Sequence, residues 1–162
     1  MSSIRSSSIP SPHVELRQTY DQVGVYTTSP MKAGACVVAL AHVFVEAPSR
    51  YTIQLDASRH QAGTDEMDDF LNHSCSPNCY LDVDRLEFRA LRDLEAGEQL
   101  TFNYLTSEWS MESPFDCWCG ASECSGTIQG FSHLTRERQK ALEPLLSPYL
   151  RGKLRELESA VA

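Results

Sequence analysis

Three cysteines within eight residues, Cys117, Cys119 and Cys124, lie in a stretch that has little else to fold around. Residues 105–130 show neither the alternation of a half-buried strand nor a helical apolar stripe, and they carry three glycines. Such a segment must be organised by something other than hydrophobic burial. Thiolates in a C-x-C-x4-C array can converge on one Zn²⁺, which takes four ligands in a tetrahedron at about 2.3 Å and supplies folding free energy directly. Three ligands are not four. The fourth can come from Cys36, Cys75, Cys79 or a histidine, and spacing alone does not choose. If all four positions are thiolates the site is closed, the zinc is structural, and it cannot activate water. The plain alternative is a set of buried free cysteines in a small core.

The 162 residues make one compact domain. Asp and Glu outnumber Lys and Arg by 22 to 14, a net charge of −8. That balance argues against a nucleic-acid binder, which needs a basic face, and against an anionic membrane surface, while it attracts basic partners. The longest apolar run, Ala35 to Ala41, has seven residues, far short of the roughly 20 that a membrane span requires. No signal sequence precedes the six cysteines, so the expected setting is a reducing intracellular compartment, cytoplasm or nucleus. Residues 1–13, rich in Ser and Pro, read as a disordered tail.

Short β-rich runs follow: Gly24 to Thr28, Ala35 to Val45, and Tyr51 to Leu55, separated by turn signals at Ser29-Pro30, Lys32-Ala33-Gly34 and Pro48-Ser49. The acidic stretch 56–69 reads as a loop with a short helix around Asp65 to Phe70. Strands are expected again at Tyr80 to Val83, Leu86 to Leu91 and Gln99 to Tyr104. Thr135 is positioned to cap a helix over Arg136 to Leu142, and a last helix runs from about Tyr149 to Val161 with Leu150, Leu154, Leu157 and Val161 on one stripe. Charge is uneven along this order. Residues 1–55 carry +1, 56–123 carry −11 and 124–162 carry +2.

Within the acidic segment, Phe70-Leu71-Asn72-His73-Ser74-Cys75-Ser76-Pro77-Asn78-Cys79 and Gly97-Glu98-Gln99-Leu100-Thr101-Phe102-Asn103-Tyr104 resemble the paired signature of SET-domain protein-lysine methyltransferases, and the cysteine triple resembles their post-SET zinc motif. Thr106-Ser107-Glu108-Trp109, Phe115-Asp116 and the exit Gly130-Phe131 are similar to small stand-alone members. The resemblance implies a mainly β SET fold of small curved sheets around a pseudoknot, with C-terminal helices. It implies the division 1–13 tail, 14–110 SET domain, 111–131 zinc segment and 132–162 helices. It also implies S-adenosylmethionine as methyl donor, Cys75 as the fourth zinc ligand, and a basic protein, such as a histone, as substrate. Cys79 is then structural and Cys36 a core residue.

By the same resemblance Tyr104 is the catalytic tyrosine, and Phe102 takes the position whose size tunes methylation, leaving room for di- or trimethylation. Asn72 and His73 match the cofactor-contacting pair; Gly24 and Val25 occupy the glycine-rich loop, and Trp118 is placed to cover the adenine. Tyr51 and Phe44 are further aromatic candidates for the lysine channel. The chain departs from the family pattern at Gln22, where a glycine is usual, and at Asp69, where an arginine is common. Two other readings accompany the enzyme: a catalytically silent zinc-stabilised module that binds basic peptides, and methyl transfer to a small amine.

Overall fold

Val25 and Leu100 stand opposite each other on neighbouring strands, both fully buried, and this pair fixes where the central sheet sits. The computed structural model describes residues 12–160. In chain order its strands are β1 (Val14–Thr19), β2 (Gln22–Thr27), β3 (Cys36–Ala39), β4 (Phe44–Val45), β5 (Ile53–Gln54), β6 (His60–Gln61), β7 (Asn72–His73), β8 (Cys79–Asp82), β9 (Glu87–Ala90), β10 (Gln99–Phe102), β11 (Phe115–Asp116) and β12 (Thr127–Ile128). The helices α1 (Arg136–Ala141) and α2 (Pro148–Ser159) follow. The protein is thus mainly β, built from small sheets ordered β1-β2-β10-β7, β3-β9-β8, β4-β6-β5 and β11-β12, with helices at the C-terminal end.

β7 runs parallel to β10, Asn72 opposite Thr101 and His73 opposite Phe102. The two signature segments, some thirty residues apart in the chain, therefore lie side by side. Asn78 completes the arrangement from outside the sheet. Its amide donates to Gln99 O at 2.8 Å and its Oδ1 accepts from Thr101 N at 2.9 Å, so a side chain takes the place of a strand neighbour.

The short strands β6, β7, β11 and β12 form where no strand is expected, and the structure departs from the sequence expectation at three longer runs as well. β1 forms where no run was read, because only Val14 of its six residues is buried; antiparallel pairing with β2, not an apolar face, holds it. The run Ala35 to Val45 is not one strand. It breaks after Ala39, where Ala41 N donates to Asp68 Oδ2 and His42, at φ 58°, donates to Gln61 Oε1. The strand expected through Tyr104 ends at Phe102, since Asn103 Oδ1 accepts from Leu105 N and starts a 3-10 turn over Tyr104–Thr106.

Met67–Phe70 forms the short helix expected before the first signature segment. Thr135 and Ser147 cap α1 and α2 through their side-chain oxygens. Leu150 and Leu154 pack on Phe131 and Leu146, Leu157 is half-buried, and Val161 lies outside the described residues, as does the expected tail up to residue 11. Gly130 (φ 119°) passes so close to the preceding segment that a Cβ would meet Trp109 O at 2.6 Å, so only glycine fits there. Among the described residues no helix is long and apolar enough to cross a membrane.

Candidate active site and metal centre

Cys75, at the end of the β7 turn, meets Cys117, Cys119 and Cys124, and the four sulfur atoms lie within 4.8 Å of one another. Tetrahedral zinc with bonds of about 2.3 Å needs sulfurs about 3.8 Å apart; Cys75 Sγ and Cys117 Sγ stand at 3.9 Å. The donor set therefore fits a closed zinc site. Burial pushes the Cys75 thiol up, whereas the Ala121 backbone N–H draws the Cys119 thiol down. A dication at the centre of the four would deprotonate them all. Cys79 is buried in the main core, and Cys36 is half-buried beside Glu87, with its thiol pushed up to about 11 chiefly by burial.

His73 joins this centre to the catalytic-tyrosine candidate. Its Nδ1 accepts from Tyr104 N at 3.1 Å while Nε2 stands 3.3 Å from Cys75 Sγ. Burial holds the imidazole well below its ordinary range, at about 4, so it is neutral. With Nδ1 accepting, the proton sits on Nε2 and points at the sulfur.

Tyr104 is half-buried among rings: Phe102 at 4.7 Å, His73 at 5.2 Å and Phe115 at 5.9 Å. Its hydroxyl donates to Leu71 O at 2.7 Å, and burial, with the nearby Glu108 carboxylate, holds it above the usual phenol range. Phe102 is buried between Phe88 and Tyr104.

These groups line a cleft of about 1260 Å³. Asn72 and His73 form part of its wall, and Asn72 Nδ2 is held by Val23 O and Gln99 Oε1, each at 3.0 Å. Gly24 makes that possible: a Cβ there would come within 3.0 Å of Gln99 Oε1 and 3.2 Å of Asn72 Nδ2. Gly24 and Val25 themselves do not line the cleft, and the Val25 side chain is in the core; Gln22 and Val23 form the wall at this strand. Trp118 lines it from the cysteine loop with its side chain largely in solvent. Tyr51 also lines the cleft, whereas Phe44 does not and stays exposed under the Arg59 guanidinium. Among the described residues seven carboxylates and one guanidinium line it, five of the seven from the acidic segment 56–123.

Two cleft residues had no role in the sequence reading. Gln99 bridges Asn72 to Tyr26, and Glu108 brings a carboxylate to the wall beside Tyr104. For Glu108 the available signal was its spacing, one turn past the tyrosine.

The family model described as SET domain matches residues 22–105. The chain is similar to "Methyltransferase flvH" of Aspergillus flavus, 37% identical over 95 residues, which cover 57% of this chain and 52% of that one. It is also similar to "Histone-lysine N-methyltransferase, H3 lysine-36 specific" of Aspergillus oryzae, 41% identical over 73 residues, 41% of this chain and 8% of that one. The match thus spans about half the length of the first relative and under a tenth of the second. Among solved structures, KRYPTONITE in complex with mCHG DNA and SAH aligns with a TM-score of 0.60 at 20% identity, over 70% of this chain and 28% of that one. The methyltransferase domain of human Histone-lysine N-methyltransferase SETMAR aligns with a TM-score of 0.55 at 20% identity, over 73% and 58%. Both alignments show the shared fold.

Proposed function

The chain belongs to the SET-domain family, and from that premise we propose that it transfers a methyl group from S-adenosylmethionine to the ε-amine of lysine in a basic protein, such as a histone tail in the nucleus or cytoplasm. The observation that carries this reading is the Tyr104 hydroxyl, fixed by Leu71 O and walled by Phe102, His73 and Phe115 at the cleft. The relatives that are named methyltransferases support it. In this reading residues 14–110 are the SET domain, 111–131 the zinc segment and 132–162 a helical cover.

S-adenosylmethionine, when bound, supplies a methyl on a positively charged sulfonium. The volume of the cleft and the missing Cβ at Gly24, over which the Asn72 amide lies, fit such a ligand. Asn72, His73, the wall at Gln22 and Val23, and Trp118 would hold it; Gly24 acts through Asn72, and Val25 by packing beneath. Cys75, Cys117, Cys119 and Cys124 would hold a structural Zn²⁺.

The protein's own work is to position and dry. A lysine amine, protonated below about pH 10.4, is no nucleophile until it loses a proton, and aromatic walls disfavour its charged form. With its proton committed to Leu71 O, Tyr104 keeps its oxygen lone pairs for the hydrogens of the amine and of the polarised methyl group. Phe102 has no hydroxyl to hold a water beside the amine, which supports di- or trimethylation. The seven carboxylates of the cleft favour a basic tail.

Labelled S-adenosylmethionine with a panel of basic proteins including histones tests the proposal. Tyr104→Phe is expected to lose roughly a hundredfold in kcat while zinc content and cofactor affinity hold, and Asn72→Ala to lose cofactor affinity. Mass spectrometry of exhausted reactions reads the methylation state. Zinc-loaded protein that binds no S-adenosylmethionine by calorimetry sinks the reading.

A further inference from the structure

One turn past Tyr104 the chain returns a carboxylate to the same cleft. Glu108 N donates to Tyr104 O at 3.0 Å, and both residues line the cleft with Leu71, Phe102 and Trp109. The two hydrogen bonds that Glu108 accepts fall on one oxygen: Oε2 takes the Gln54 N–H at 2.9 Å and the Ser107 hydroxyl at 2.6 Å. Among the described residues Oε1 has no donor. Two donors of the same stretch are committed elsewhere, the Tyr104 hydroxyl to Leu71 O and the Trp109 N–H to Gln54 Oε1. No Lys or Arg among the described residues forms an ion pair with Glu108.

A carboxylate partly drawn out of water, with one oxygen left to solvent and no protein donor, is better met by a cation than by water. Other carboxylates of the cleft are committed differently: Asp68 Oδ2 to Ala41 N, and Asp69 Oδ2 to Thr64 N and Asp65 N, with each Oδ1 sealed from solvent. Glu108 Oε1 is absent from that sealed group, and Glu108 keeps partial exposure.

We propose that Oε1 of Glu108 receives the substrate's alkylammonium group and takes one of its protons, delivering a neutral amine beside Tyr104. The assignment rests on the methyl-transfer reading above and adds to it the destination of the proton. In the step, R–NH3⁺ and the Glu108 carboxylate become R–NH2 and the carboxylic acid. After transfer the methylated nitrogen carries the positive charge, and the Glu108 proton passes to water at the cleft mouth. Primary, secondary and tertiary ammonium groups each have an N–H to give; a trimethylammonium has none and leaves.

Burial pushes the Glu108 carboxyl up to about 7, which suits a proton acceptor near neutral pH. Of the titratable groups, Tyr104 on its own turn interacts with it directly; His60 on β6, paired with Gln54, and Asp68, Asp69, Glu112 and Asp116 line the same cleft, and the Lys153 ammonium on α2 lies over the neighbouring Trp109 ring at 5.6 Å.

Two measurements on zinc-loaded protein test this. n-Butylamine is titrated by calorimetry into wild type and Glu108→Gln, each saturated with S-adenosylhomocysteine. In parallel, kcat and KM for a lysine peptide are followed from about pH 6 to about pH 9, on either side of the carboxyl's value. Glu108→Gln is expected to weaken n-butylamine about tenfold, to raise KM in proportion, and to move the acid limb of kcat/KM towards the amine's own value of about 10.4. Zinc content and S-adenosylhomocysteine affinity should match wild type. If the amide costs folding, Glu108→Asp serves instead, keeping the acid limb while losing amine affinity.

A wild type that methylates the peptide alongside a variant with the same affinity, KM and pH profile overturns the assignment and leaves the enzyme reading intact. Amine binding that depends on Glu108 without methyl transfer to any amine does the reverse. A wild type that neither binds nor methylates overturns both.

Discussion

His73 spends both ring nitrogens, one on the backbone of Tyr104 and one on the sulfur of Cys75. Partners of this kind orient metal ligands, and their loss typically costs 10–100-fold in metal affinity. His73→Ala is expected to weaken zinc by roughly that factor in competition with a chromophoric chelator, and to loosen the Tyr104 turn as well. A variant with wild-type zinc affinity removes His73 from the centre. Glu108 makes a prediction about stability. Its carboxyl is raised by burial from 4.5 to about 7, so the folded state binds this proton more tightly than the unfolded one. The stability it lends is full below pH 4.5 and is lost as pH rises through about 7. Glu108→Gln should therefore melt above wild type near about pH 8, by at most about 3 kcal/mol given that water reaches the group, and match it near about pH 4. Melting curves across that range decide it. The meeting of the cysteine triple was legible because ligand spacing is local, and the place of Tyr104 at the cleft because it sits in a motif. The unpartnered oxygen of Glu108 was not, because which donors its neighbours have already used is fixed only by the folded geometry.

At the scale of elements, the site hangs on β10, and Asn78 is what closes its outer edge. Removing that buried amide takes the partners from Gln99 O and Thr101 N on a half-buried strand. Asn78→Ala is expected to destabilise the protein by roughly 2–4 kcal/mol in urea unfolding; a loss under about 0.5 kcal/mol would mean that water replaces the amide without penalty. Alternating or apolar runs made β8, β9 and β10 readable to within a residue or two. β1 was not readable because one buried residue in six gives no period, and the break after Ala39 was not because an apolar run does not reveal where its backbone donors go. There they go to Asp68 and Gln61, side chains distant in sequence. The caps at Thr135 and Ser147 act within three residues, and the helix that Thr135 begins was read from it.

For the whole molecule, the unequal division of charge shows partly on one face, since among the described residues seven carboxylates and a single guanidinium line the cleft. A basic peptide approaching it is steered over a screening length of about 8 Å at physiological salt, which shortens as salt is added. KM for a multiply basic peptide should rise steeply with ionic strength while the Kd of n-butylamine rises little; equal responses would return the acidity to a general surface role. The layout of the sheets also has a consequence in time. β10 finds its neighbours in β2, β7 and Asn78, and Cys75 waits for Cys124. The wall of the cleft that β10 provides cannot therefore close while the ribosome is still making the residues before Tyr104, and the four cysteines cannot meet until some twenty residues later. Pairings this distant form slowly and leave strand edges open meanwhile. The nascent chain passes through a long interval in which its thiols are present and its metal site is not, so the zinc and thiol chemistry of its surroundings during synthesis decides how much of it matures.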